Sequence, residues 1–127
     1  MSYTNTWETD GLYRNFTGTI AGDEILKANF ELHEDPGFQY IKYIINDFTE
    51  VKDHAIEAFH TKAYALTDEI ISNTKGNLKI ALVVTQEPYI ALANSYREQM
   101  IGNRFECEIF RSVKDARIWV SDAKQYN

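Results

Sequence analysis

A chain of 127 residues, 44% of them apolar, is long enough to bury roughly two thirds of its unfolded surface, which argues against disorder. With 19 acidic and 13 basic residues the net charge is −6, and neither nucleic acid nor an anionic membrane is an expected partner. A single cysteine excludes an internal disulfide framework. With no basic-then-apolar leader and no apolar run longer than IALVV (80–84), the expectation is one cytoplasmic, soluble domain over residues 1–127, without membrane insertion.

Tyr3, Asn5 and Trp7 alternate with polar neighbours, and Asp10-Gly11 then separates them from Leu12–Phe16, which predicts a hairpin. Ile25, Leu26, Asn29, Phe30 and His33 fall at helical spacing from Gly22 to Glu34, and Asp35-Pro36-Gly37 ends that helix. YIKYII (40–45) reads as a strand buried on both faces. From Asp53 the pattern Ile56, Phe59, Ala63, Leu66, Ile70 predicts a helix of about twenty residues with Phe59 and Leu66 in the core, ending before Gly76-Asn77. LKIALVVT (78–85) has the continuous hydrophobicity of a central parallel strand. Pro88 opens a helix carrying Ile90, Ala93, Tyr96 or Arg97, and Met100, as far as Gly102. FECEIF (105–110) alternates with Phe105, Cys107 and Ile109 on one face, so Cys107 is expected to be a buried apolar side chain. Ser112-Val113-Lys114-Asp115 has the form of a capping box before a last helix with Val113, Ala116, Trp119 and Val120 inward. The order ββαβαβαβα calls for an α/β sandwich: a mixed, mostly parallel five-stranded sheet with an antiparallel N-terminal hairpin and about four helices.

This order resembles the STAS domains, and within them the SpoIIAA-like (STAS/SEC14) proteins. The likeness rests on Gly18-Thr19-Ile20 entering a helix, Asp47-Phe48-Thr49-x-Val51 after a strand, and the closing Phe110-Arg111-Ser112-x-x-x-Ala116-x-x-Trp119. It spans residues 10–121. The resemblance implies a non-catalytic regulatory or protein-binding module. In the anti-sigma-factor antagonists an Asp-Ser-Ser-Gly segment carries a phosphorylated serine; here the matching stretch is Asp53-His54-Ala55-Ile56, so the phosphoserine switch does not carry over.

Asp47 and Thr49 are expected at the carboxyl end of a buried strand, where open α/β sheets place ligands. The plainer alternative is that Thr49 or Asp53 caps the next helix and Asp47 ties the loop. Three carboxylates there, Asp47, Glu50 and Asp53, disfavour an anion at that point. The candidate ligand- or partner-binding residues are Asp47, Phe48, Thr49, Asp53 and His54. Tyr64, Tyr89 and Tyr96, with Phe48, are candidates to line an apolar cleft. His54 and His60 lie six apart on the expected helix, on different faces, so no metal site is expected. No catalytic motif or cofactor fingerprint is present. Three functions remain in order: a protein-binding regulatory module, a carrier or sensor of a small apolar, lipid-like ligand, and an enzyme using the Asp47–Thr49 loop. A monomer or weak homodimer is expected, since an exposed edge strand with Tyr3 and Trp7 can pair with a second copy.

Overall fold

The computed structural model describes residues 2–121. Among them the elements run β1 (Tyr3–Trp7), β2 (Gly11–Ala21), α1 (Gly22–Glu34), a 3₁₀ turn (Pro36–Tyr40), β3 (Tyr43–Ala55), α2 (Ala58–Lys75), β4 (Leu78–Val83), α3 (Glu87–Met100), β5 (Phe105–Phe110) and α4 (Val113–Ser121). The sheet order is β1-β2-β3-β4-β5, antiparallel between β1 and β2 and parallel thereafter. Both the expected element order and the mixed sheet are present. No helix among the described residues is long and apolar enough to cross a membrane.

Helices following successive neighbouring parallel strands return on the same side when each crossover is right-handed. Accordingly α1, α2 and α3 cover one sheet face, around Leu12, Phe16, Ile44, Ile80, Leu82 and Phe105. On the other face α4 packs Ala116 and Val120 against Ile45, Ala81 and Val83. Ser112 Oγ accepts the N–H of Asp115 at 3.1 Å, so the expected cap opens α4. Arg117 of α4 reaches back to Glu8 with two bonds of 3.0 and 2.8 Å, which fastens that helix to the turn between β1 and β2.

Two expectations are corrected. The third strand begins at Tyr43 rather than at residue 40 and continues to Ala55, so Asp53 is a strand residue and α2 starts only at Ala58. The reason lies in the pairing with β2. Asn15 and Thr17 face Asp47 and Glu50, and Gly18 and Thr19 face Val51 and Asp53; at each step β3 carries one residue more than β2. These are β-bulges, and bulges tolerate the Asx and glycine chemistry that otherwise marks turns.

The second correction concerns α2, whose apolar stripe points outward. Phe59, Leu66 and Ile70 are 61%, 58% and 62% exposed, while His60, Thr61, Tyr64, Ala65, Asp68 and Ser72 are buried. Close approach at one end holds this orientation. The Tyr64 hydroxyl donates to the Gly22 carbonyl at 2.6 Å, and a Cβ on Gly22 would lie 2.4 Å from the His60 ring. Leu66→Ala is therefore expected to change stability by no more than about 0.5 kcal/mol. Leu82→Ala, at a position 7% exposed, should cost about 2–5 kcal/mol. Urea denaturation of both variants measures the difference, and a Leu66 loss as large as that of Leu82 would contradict the outward orientation.

Candidate functional site

Between the sheet and α1–α3 lies a cavity of about 100 Å³. Its walls are chiefly apolar: Phe16, Ile20, Leu32, Leu82, Ala93 and Phe105 are among them, all buried. Tyr64, Tyr89, Tyr96 and Phe48, singled out in the sequence as possible cleft aromatics, all line it. Half-buried His54, Ile56 and Tyr89 stand at one end, beyond the last residue of β4, and His54 meets the Tyr89 ring edge-on at 4.8 Å. Arg14 and Asp68, deeper in the layer, and Phe105, at the start of β5, are nearly inaccessible. The partly open end thus lies on the carboxyl-terminal side of the strands, where ligands of open α/β sheets enter.

The bulges determine what faces this space. A regular strand shows every second residue to one side. In β3 the inward residues are Ile44, Asn46 and Phe48, then Val51, then His54, because each bulge shifts the alternation by one. Phe48 stacks on Phe16 with ring centroids 4.7 Å apart. Asp47 points to the opposite sheet face. Its Oδ1 accepts the Thr49 N–H (3.0 Å) and the Thr49 hydroxyl (2.7 Å), and its Oδ2 accepts the Tyr13 hydroxyl (2.5 Å). These bonds fix the first bulge. Burial first, and the bond to Asp47 second, push the Tyr13 phenol well above its ordinary range.

The five candidates therefore separate. Phe48 and His54 enter the cavity, Asp47 and Thr49 brace the bulge from the other face, and Asp53 is exposed, accepting the N–H of His54 at 2.8 Å. Neither Thr49 nor Asp53 caps α2. Cys107 is buried as expected, and desolvation drives its thiol far up, away from a reactive thiolate. No group of three or more His, Cys, Asp or Glu among the described residues is arranged to hold a metal ion.

What the sequence did not reveal is a polar cluster in the buried part of the cavity wall. Asp68 of α2 accepts the Tyr96 hydroxyl at 2.5 Å and lies 3.3 Å from His33 Nε2. Arg14 of β2 is 2% exposed, its Nη1 donates to Asn29 Oδ1 at 2.8 Å, and its guanidinium lies 5.3 Å from the centre of the Phe16 ring and 5.6 Å from that of Tyr3. Nε and Nη2 of Arg14 and Oδ1 of Asn46 are buried without a hydrogen-bond partner. Desolvation lowers the Arg14 guanidinium to about 10, opposed by the field of Asp68, so it stays charged at neutral pH. One signal was legible: Arg14 stands between Leu12 and Phe16 at the inward period of a strand.

No known protein family's profile matches the sequence, and no curated protein matches it. Among solved structures, the chain is similar to the crystal structure of an uncharacterized protein from the DUF3478 family of Shewanella loihica PV-4, described as having a SpoIIAA-like fold. The TM-score is 0.56 at 15% identity, over 93% of this chain and 91% of that one. The fold is SpoIIAA-like. In this SpoIIAA-like chain Asp53-His54-Ala55-Ile56, which the resemblance aligns with the phosphorylated segment, belongs to the end of β3 and its exit rather than to a helix start, and it holds no hydroxyl.

Asp47→Asn tests the role of the bulge. It should cost about 1–3 kcal/mol through strained or lost bonds and bring the Tyr13 phenol down toward ordinary tyrosine ionisation. An alkaline NMR titration of Tyr13 reads the shift; an unchanged titration and unchanged stability would show that Asp47 does not hold the bulge.

Proposed function

We propose that this SpoIIAA-like chain is a non-catalytic binding module that takes a small, largely apolar ligand between its sheet and α1–α3. The observation that carries the reading is the apolar cavity, open on the carboxyl-terminal side of the strands and ending on buried polar groups. Ligand sites commonly combine mostly apolar walls with a few fixed polar groups, whereas ordinary interiors close to crystal-like density. A reaction at Asp47 has less support, because its carboxylate accepts three structural hydrogen bonds and faces away from the cavity.

Cavity filling tests this directly. Ala93 of α3 is 7% exposed and lines the space, so Ala93→Phe should occupy part of it. The variant is expected to fold and to lose uptake of small apolar probes that raise the melting temperature of the parent chain. If probes stabilise both chains equally, or neither, the cavity is not the binding site.

A second reading, a module that binds a protein, draws on the exposed side chains of Phe59, Leu66 and Ile70, which follow one another along one face of α2. In its simplest form the partner is a second copy of the chain. Sedimentation should then show a concentration-dependent dimer that Ile70→Asp dissociates; a parent chain that stays monomeric at high concentration removes this version.

A further inference from the structure

We infer that the ligand is a small monocarboxylate with an apolar body, its carboxylate gripped by the Nε–Nη2 edge of Arg14. The inference rests on the ligand-binding reading above and specifies its chemistry. Arg14 lines the cavity at a buried position, 2% exposed, with Nη1 held by Asn29. The two nitrogens left without a partner, Nε and Nη2, are the pair that form one flat side of a guanidinium. This chain shows elsewhere what that side binds: Arg97 uses its own Nε and Nη2 to hold the carboxylate of Glu108, at 3.1 and 3.3 Å. The guanidinium fork matches a carboxylate in two parallel bonds, and ion-assisted bonds of this kind are the strong ones.

The surroundings select among anions. Asp68, whose charge is felt by Arg14, has one oxygen on Tyr96 and the other facing His33, so it does not occupy the free edge. Arg14 and Asp68 already place one charge of each sign in this layer, so a monocarboxylate adds one net negative charge and a phosphate dianion adds two, and the cost of burial rises with the unbalanced charge. The rest of the ligand must satisfy the walls, where Phe16, Leu82, Ala93 and Phe105 ask for hydrocarbon. Apolar cavities of roughly 150 Å³ accept benzene, so a space of about 100 Å³ suits a short-chain acid smaller than an aryl acid or a long fatty chain.

Isothermal titration of the full chain with butyrate and 3-methylbutanoate, against 1-butanol, 3-methyl-1-butanol and inorganic phosphate, tests this. The acids should bind at least about tenfold tighter than the alcohols of the same shape, and phosphate should not bind. In Arg14→Met the acid preference should vanish while alcohol binding persists, which also reports that the variant is folded. Arg14→Lys, which keeps the charge and loses the flat edge, should retain only part of the preference. Equal binding of acids and alcohols by the parent chain would overturn the carboxylate and leave the ligand cavity standing. Tighter binding of phosphate than of either acid would overturn it in favour of a different anion. Binding of none of the probes would overturn both readings, with water alone on the Arg14 edge.

Discussion

A guanidinium buried inside the apolar layer constrains most of what packs around it. Removing a charge from water costs several kcal/mol unless neighbours compensate, and Arg14 is nearly inaccessible. The compensation comes from four elements. Tyr3 of β1 and Phe16 of β2 itself present aromatic rings, Asn29 of α1 accepts a hydrogen bond, and Asp68 of α2 contributes an opposing field. Placing Asp68 inward turns the whole of α2: the residues on its side go in, and Leu66 and Ile70 go out. The outward turn of Leu66 and Ile70 thus goes together with the burial of Asp68 against Tyr96 and His33 and of Tyr64 against Gly22.

The same arrangement accounts for the contrast between the two sheet faces. Against α4, small side chains such as Ala81 and Ala116 are fully buried with Ile45 and Val83, and the polar groups there, Asp47, Thr49 and Tyr13, bond to one another. Against α1–α3 the layer has to hold Arg14, His33, Asp68 and the Tyr96 hydroxyl among large aromatics, and hydrocarbon cannot close around them without leaving polar groups unpaired. A cavity remains where apolar walls meet that cluster. The bulges of β3 add to the effect, since they turn Val51 and His54 to the cavity side and carry β2 and β3 beyond the end of β4. Unpaired buried atoms occur on both faces, Asn15 Oδ1 toward α4 and Arg14 Nε and Nη2 toward α1–α3, but only the second face leaves a cavity beside them.

Much of the architecture was legible in the residues themselves. Period and composition marked the hairpin, the continuous apolar β4, the Ser112 cap and the α/β order, because each depends on neighbours within a few positions. So was part of the site: Phe48, Tyr64, Tyr89 and Tyr96 stood out as aromatics in excess of a filled core, and all four line the cavity. The length of β3 was not legible. Asp47-Phe48-Thr49 has the local hydrogen bonding of a turn, and an Asx bond at a bulge uses the same atoms. Only the partner strand distinguishes the two.

What the sequence by itself determined is therefore the alternation of strands and helices, the positions of the caps and breaks, and the SpoIIAA-like order of elements, all set by short-range sterics and periodicity. The tertiary structure alone decided which face of α2 is buried, which way β3 turns Val51 and His54, and that Arg14 and Asp68, 54 positions apart in the chain, line the same cavity. Those outcomes depend on balancing charge and pairing polar groups between elements distant in sequence, and no local pattern encodes such a balance.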